Sequence, residues 1–155
     1  MLLREWAAAK FPQYHLWEQV RLGPTEAHVA GIVLTPALEA MMRVDNWYCD
    51  GVIILPHEVL IIEAKMDPNP GAVGQAMFYL ELGFSTPLLE SSRNLPMVPV
   101  VLFSEDDYGV RRWAQKWGCR VEVYTPSWYP DWLNQVKLRN RSTAPSIAPM
   151  GSQGA

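Results

Sequence analysis

The sequence has little cysteine, no basic excess and no long apolar run. Its two cysteines, Cys49 and Cys119, lie far apart and in no metal-ligand spacing, which excludes a four-cysteine zinc or iron–sulfur site within this chain. No run approaches the roughly 18 apolar residues of a transmembrane helix, and the start has no signal-peptide core. We therefore expect a soluble cytoplasmic protein with free thiols and no membrane partner, either cellular or virus-encoded and acting in the host cytoplasm.

Neither sign of charge dominates the chain. It carries 13 Lys and Arg against 16 Asp and Glu, for a net charge of −3. Proteins that coat nucleic acid without sequence preference usually have a basic excess, so that class is disfavoured. An enzyme with an acidic metal site and a local basic patch remains compatible with this balance, because bound metal offsets part of the negative charge.

The chain contains enough hydrophobic residues to form one core. It contains 155 residues, of which 49% are hydrophobic and 19% charged, a composition typical of a globular domain. From Arg139 onward, Ser, Thr, Pro, Ala and Gly predominate, and such a segment cannot bury apolar area. The sequence therefore predicts one domain over residues 1–138 and a flexible tail over residues 139–155.

The most informative stretch is an apolar hairpin over residues 50–65. Two runs rich in valine and isoleucine flank Pro56-His57, which predicts two antiparallel strands joined by a turn. If these two residues form the turn, Val52 pairs with Ile61, and every other pair of the hairpin follows from that register.

The same register sets Asp50 opposite Glu63, with Lys65 two residues further along the same face. Two carboxylates this close repel each other unless a cation lies between them. Oxygen ligands suit a hard divalent ion such as Mg²⁺. Asp45 is a competing acid, but it lies an odd number of residues from Asp50 and would point to the other face of an unbroken strand.

The chain before the hairpin predicts helix over residues 1–22, interrupted near Pro12. Glu18 falls in the second helical segment, either as a solvated glutamate or as an additional metal or water ligand directed toward the hairpin. Residues 28–34 predict a strand, and Thr35 is a candidate N-cap for a further helix.

The segments after the hairpin alternate between helix and strand, which predicts an α/β fold. They are a helix over residues 71–83, a buried strand over 98–103, a helix over 105–117 capped by Ser104, a strand over 120–124 and a short closing helix over 128–138.

Asp50, followed after twelve residues by Glu63-Ala64-Lys65, resembles the PD-(D/E)XK nuclease superfamily. The resemblance implies a restriction-endonuclease-like αβββαβ core, with a central mixed sheet of four to five strands flanked by helices. It also implies Mg²⁺-dependent hydrolysis of DNA phosphodiester bonds, with Mn²⁺ as a substitute. Asp50, Glu63 and the carbonyl group of Ala64 would hold the ion, and Lys65 would orient or deprotonate the attacking water or stabilise the developing charge.

A second motif lies on the helix that follows the hairpin. Gln75 and Tyr79 resemble the Gln-x-x-x-Tyr motif of RecB-type members of the superfamily. The resemblance implies that Gln75 holds phosphate or water and that Tyr79 contacts the DNA backbone. The alternative is a buried amide and a core aromatic. The cysteine cluster of some RecB-type enzymes is absent.

Arg111, Arg112, Lys116 and Arg120 form the densest basic run. Arg112 and Lys116 are four residues apart and share one helix face, where they would either neutralise phosphates or form an ordinary solvated surface. No helix-turn-helix or zinc-finger motif is present, so we expect recognition of DNA structure or ends rather than of a base sequence.

Two functions remain open at this stage. The first is a metal-dependent deoxyribonuclease. The second is a catalytically silent module of the same fold that acts in binding or assembly within a DNA-processing or viral complex. A lone nuclease domain of this size usually gains specificity from a partner, so we expect a homodimer or a larger complex in either case.

Overall fold

The computed structural model describes residues 1–23 and 47–143, with side chains of the last helix described as far as residue 136. The elements in chain order are α1 (Leu2–Lys10), β1 (Leu16–Leu22), β2 (Trp47–Ile54), β3 (Val59–Lys65), α2 (Pro70–Gly83), a 3₁₀ helix (Pro87–Ser92), β4 (Met97–Phe103), α3 (Tyr108–Lys116), β5 (Arg120–Val123) and α4 (Tyr129–Thr143).

The strands of this described part form one mixed sheet in the order β1-β2-β3-β4-β5. The first three strands are an antiparallel meander, and β4 and β5 then add in parallel to β3. Helices α2 and α3 supply the two crossovers that parallel neighbours require. The predicted α/β class, with a central mixed sheet of four to five strands flanked by helices, is confirmed by this five-stranded sheet.

The predicted hairpin register is also confirmed. Val52 pairs with Ile61, and the backbone amide of Leu55 donates a hydrogen bond to the carbonyl oxygen of Glu58 at 2.8 Å. Pro56 therefore lies in a two-residue turn with the following histidine. The regular ladder ends with the pair of Gly51 and Ile62, one residue before Asp50 and Glu63.

The second helix predicted within residues 1–22 is wrong, because β1 occupies that place. Trp17 and Val20 pack in one apolar cluster although they are three residues apart, a spacing that suggests a helix. Residues of a regular strand alternate between faces. Here the alternation is interrupted at Gln19, whose backbone has a left-handed φ of 50°.

The sheet separates two apolar layers. On one face, α1 packs Leu3 and Trp6 against alternate residues of β2, β3 and β4. On the other face, α2 and α3 cover the remaining strand residues. Strand β3 is buried on both faces from Val59 to Ile62. Each such aliphatic side chain contributes about 1.5–3 kcal/mol, so the hairpin that carries the candidate site is held rigidly.

Two predicted helix boundaries differ from the structure. The carboxylate of Asp107, not Ser104, caps α3, and it accepts a hydrogen bond from the amide of Val110 at 2.8 Å. The hydroxyl of Ser104 donates instead to the carbonyl group of Met66. Helix α4 continues to Thr143, so the predicted domain boundary at residue 138 falls inside a helix.

Some predictions lie outside the described residues. These are the strand over 28–34, the helix from Thr35, the competing acid Asp45 and the tail beyond residue 143. Within the described residues, Cys49 and Cys119 are buried free thiols, as expected. None of the described helices is long and apolar enough to cross a membrane.

Candidate active site

The β2–β3 ladder ends at a hydrogen bond between a side chain and the backbone. The last regular pair is Gly51 with Ile62. One residue further, the carboxylate oxygen Oδ2 of Asp50 accepts a hydrogen bond from the backbone amide of Ala64 at 2.8 Å. The carboxylate thus takes the place of a ladder carbonyl and lies near the plane of the sheet.

Glu63 lies next to Asp50 and is almost fully buried, with 2% of its surface exposed. Burial raises the pKa of Glu63 above its ordinary value, the hydrogen bond with Lys65 opposes this shift, and the adjacent charge of Asp50 adds to it. Two carboxyl groups therefore meet in a poorly hydrated place, where burial and the charge of Asp50 both disfavour the ionisation of Glu63.

Lys65 supplies the neighbouring positive charge. Its ammonium nitrogen Nζ lies 2.5 Å from Oε1 of Glu63. Burial lowers the pKa of Lys65, but the hydrogen bond with Glu63 and the charges of Glu63 and Asp50 outweigh burial and raise the pKa. Lys65 is therefore an ammonium ion at neutral pH in this arrangement.

Asp50 and Lys65 border a cavity of about 280 Å³. The first residues of α1 and Trp128 form part of its wall, and the strands contribute Glu18, Gln19, Asp50, Ala64 and Lys65. Glu63 is buried behind this wall, and its carboxylate is paired with Lys65, which lines the cavity. The cavity is large enough for a hydrated ion and a phosphate group.

The indole Nε1 of Trp128 donates a hydrogen bond to Oε1 of Glu5 at 2.5 Å. This bond ties the segment before α4 to α1. Trp128 and the first turn of α1 both line the cavity, so this hydrogen bond holds one wall of the cavity in place.

Gln19 is a site residue that the sequence analysis missed. It stands between the pairs Glu18–Gly51 and Val20–Cys49, at the level of Asp50. Its amide nitrogen Nε2 donates to Oδ1 of Asp50 at 3.3 Å. A left-handed backbone conformation at a residue other than glycine is uncommon and often marks a functional site. No sequence pattern predicts this conformation at Gln19.

In strand β2, the alternation of side chains between the two faces of the sheet is interrupted at Asp50, opposite Gln19. Cys49 and Val52 pack in one cluster although they are three residues apart, and Asp50 lies between them. The irregularities in β1 and β2 therefore coincide, and they turn Gln19 and Asp50 together toward the cavity. Such local interruptions of a ladder are common next to active sites, where they redirect a side chain.

Glu18 lies on β1 rather than on a helix, so that part of the prediction is wrong. It nevertheless lines the cavity with Asp50. Its carboxylate accepts hydrogen bonds from Nε of Arg4 at 2.8 and 2.7 Å, one to each oxygen. Glu18 thus shares the cavity wall with Asp50 and is held by an exposed arginine of α1.

The structure brings Tyr79 to the site but not Gln75. Tyr79 is buried on α2, and burial followed by the charges of Glu63 and Asp50 raises the pKa of its phenol. Gln75 is exposed, and among the described residues no hydrogen bond joins it to Asp50, Glu63 or Lys65. Ala72 and Ala76 occupy the buried face of α2 instead.

The four residues of the predicted basic run differ in their ion pairing within the described part of the chain: Arg111 and Arg120 each bind an acidic side chain, and Arg112 and Lys116 do not. The guanidinium of Arg120 binds both carboxylate oxygens of Glu58 at 2.9 and 2.8 Å. Arg111 pairs with Asp106 at 2.9 Å. Both arginines are thus paired within the protein, whereas Arg112 and Lys116 lie on the exposed side of α3.

The donor set fits a hard cation. Within residues 1–23 and 47–143, no three His, Cys, Asp or Glu side chains converge to hold a metal ion. Asp50 and Glu63 provide two carboxylates. Mg²⁺ in proteins commonly uses one or two carboxylates and completes its shell with water and substrate phosphates, so two acids are sufficient.

No protein-family model matches this sequence, and no curated protein sequence matches it. The function is therefore inferred from the geometry of the site.

Proposed function

We propose that this protein is a metal-dependent nuclease that hydrolyses phosphodiester bonds in DNA. The observation that carries the proposal is the convergence of Asp50, Glu63 and Lys65 where the hairpin ladder ends beside the cavity. The resemblance to the PD-(D/E)XK pattern in the sequence supports the same reaction class.

Asp50, Glu63 and the carbonyl group of Ala64 would hold Mg²⁺, with Mn²⁺ as a substitute. Burial and the neighbouring acid both raise the pKa of Glu63, and a cation between the carboxylates relieves both effects. In an antiparallel ladder the amide and carbonyl of one residue point to the same neighbouring strand. Since the amide of Ala64 bonds Asp50, its carbonyl is expected on that side too.

When bound, the ion supplies Lewis-acid polarisation of the phosphate and lowers the pKa of water. Lys65 contributes an ammonium group in the cavity wall, where it orients the attacking water or offsets charge that develops on the phosphate. Gln19 holds one oxygen of Asp50 while Ala64 holds the other, so both bonds fix the orientation of that carboxylate.

The entry of a phosphate is favoured by α1. Leu2 and Leu3 of its first turn line the cavity, so the helix directs its N-terminal end toward the site. The amides of a first helical turn carry partial positive charge and favour anions. Arg4, on the same turn, forms an ion pair with Glu18 of the cavity wall.

Cleavage of supercoiled plasmid DNA tests this function. We expect the protein to nick the plasmid with Mg²⁺ or Mn²⁺ and to be inactive with EDTA. The Lys65→Ala and Glu63→Gln variants should lose at least about a hundredfold in rate, which is the usual range for a lost electrostatic or acid–base contribution. Arg93→Ala, an exposed cation outside the cavity, is the matched control and should retain activity.

The second candidate is a binding module within a DNA-processing or viral complex. Several large aromatic side chains are exposed, among them Trp47, Phe84 and Tyr108, which favours a partner surface. Absence of metal-dependent cleavage on plasmid, linear and branched DNA, together with a stable complex with another protein, would favour this candidate over the nuclease.

A further inference from the structure

Two tryptophans on α3 and just after it are exposed. Trp113 and Trp117 have 42% and 52% of their surface accessible, and their rings meet edge to face with centroids 5.6 Å apart. Large aromatic side chains in water forgo the stabilisation that burial gives, so a paired exposed set commonly marks a binding surface.

Trp113 separates two depressions. On one side lies an apolar depression of about 390 Å³ between α2 and α3, with Met77, Phe78 and Trp117 in its wall. On the other side lies a second depression of about 460 Å³, bordered by Gly109 and the basic residues of α3. One tryptophan thus forms the wall between an apolar depression and a cationic depression.

The cations of the second depression are Arg112 and Lys116. Among the described residues no acidic side chain pairs with either of them, whereas Arg111 on the same helix binds Asp106. Lys116 places its ammonium nitrogen 5.8 Å from the ring centre of Trp113. Two uncompensated positive charges therefore flank an exposed aromatic ring.

We propose that this α3 surface binds single-stranded DNA. Phosphates would lie on Arg112 and Lys116, and unpaired bases would stack on Trp113 and Trp117. This combination of a cationic strip with aromatic stacking positions is how single strands are bound without sequence preference. The proposal goes beyond the nuclease function and does not depend on it.

The chemistry of the two depressions favours this occupant over others. Glu81 lines the apolar depression, where its carboxylate would repel phosphate and accept hydrogen bonds from the N–H groups of unpaired bases, including N3–H of thymine. Phosphates are therefore directed to the side of Arg112. A duplex already has its bases stacked and would leave the tryptophans unused, and an apolar peptide would leave both cations unused.

Fluorescence anisotropy of a labelled oligo(dT) of about 15 nucleotides tests the proposal, since single-strand sites span about 4–16 nucleotides. EDTA is included, so that binding is measured without cleavage. We expect Trp113→Ala with Trp117→Ala, and separately Arg112→Glu with Lys116→Glu, to weaken binding by roughly tenfold or more. Trp113→Phe keeps a stacking ring and should bind nearly as the wild type does.

The matched controls are Phe84→Ala and Arg93→Ala, an exposed aromatic and an exposed cation that line neither depression. Both should bind as the wild type does. Equal affinity of all variants, or competition by duplex DNA as strong as by single strands, would overturn the proposal. Loss of plasmid cleavage alone would leave it standing, because the binding measurement contains no metal.

Discussion

The carboxylate of Asp50 accepts the backbone amide of Ala64 at 2.8 Å, in the position where the next ladder hydrogen bond of the hairpin would otherwise form. A single contact therefore joins the end of the sheet to the candidate metal site. It fixes one oxygen of Asp50 and places that side chain beside Glu63. Changes that disturb the strands at this level should therefore affect both stability and chemistry.

Two glycines offer a paired test of the packing around this site. A Cβ at Gly51 would lie 2.8 Å from Leu3 and 2.9 Å from Leu16, whereas a Cβ at Gly74 on α2 meets no atom within 4 Å. Gly51→Ala should destabilise the protein by about 1–3 kcal/mol through overpacking. Gly74→Ala should stabilise it by about 0.5–1 kcal/mol because it lowers the entropy of the unfolded chain.

Urea denaturation of the two variants measures both changes in the free energy of unfolding. Unchanged or increased stability of Gly51→Ala would contradict the packing described for Gly51, and destabilisation by Gly74→Ala would contradict the open space described for Gly74.

Gln19 offers a test of backbone conformation. Its φ of 50° suits glycine and asparagine but not a β-branched residue. Gln19→Val should cost about 1–2 kcal/mol more in stability than Gln19→Gly, because only the latter tolerates the left-handed region. Thermal denaturation measures the difference, and equal stability of the two variants would mean that the strand relaxes.

The same variants bear on catalysis, because both remove the amide that holds Asp50. Both should therefore cleave plasmid DNA more slowly than the wild type, including Gln19→Gly, which keeps the fold. Undiminished cleavage by Gln19→Gly would assign the residue a structural role alone.

The pair between Glu58 and Arg120 should make stability depend on pH. The hydrogen bond from Arg120 lowers the pKa of Glu58 below its ordinary value of 4.5. A carboxyl group with a lowered pKa stabilises the fold above its unfolded pKa, and that stabilisation is lost as pH falls toward the folded pKa. Glu58→Gln should therefore flatten the decline in melting temperature below about pH 4.5.

Melting curves of wild type and Glu58→Gln between neutral and acidic pH provide the comparison. Parallel curves for the two proteins would show that the pair does not contribute. Because Arg120 is partly exposed, added salt should reduce the difference.

The two thiols should be unreactive in the folded protein. Burial, followed by the charges of Asp50 and Glu63, raises the pKa of Cys49 to about 12. Burial raises the pKa of Cys119 to about 11. Since the thiolate is the reactive form, Ellman's reagent at about pH 8 should release little colour from the native chain and react with both thiols in denaturant. Rapid native reaction would contradict the burial of these side chains.

The hairpin was predictable from the sequence because its signals are local. Pro56 interrupts two runs of β-branched residues, and this alone sets Val52 opposite Ile61. The alternation of helix and strand after it predicted the α/β class for the same reason. Contacts between residues distant in sequence were not predictable, as with Arg120, which binds an acid 62 positions earlier.

The wrong helix in the second half of residues 1–22 has a physical cause. Trp17 and Val20 share a face only because the strand is interrupted between them, and their spacing imitates a helical period. Periodicity predicts a regular element, so it fails where a functional irregularity interrupts that element.

Titration of the metal-free protein with Mn²⁺, followed by calorimetry, tests the central claim most directly. A single site is expected in the wild type, and Asp50→Asn and Glu63→Gln should each weaken it strongly because each removes a charged ligand. Asp131→Asn, an exposed acid on α4, is the control and should bind as the wild type does. No Mn²⁺ binding by the wild type, or equal binding by all four proteins, would contradict the assignment of Asp50 and Glu63 as metal ligands.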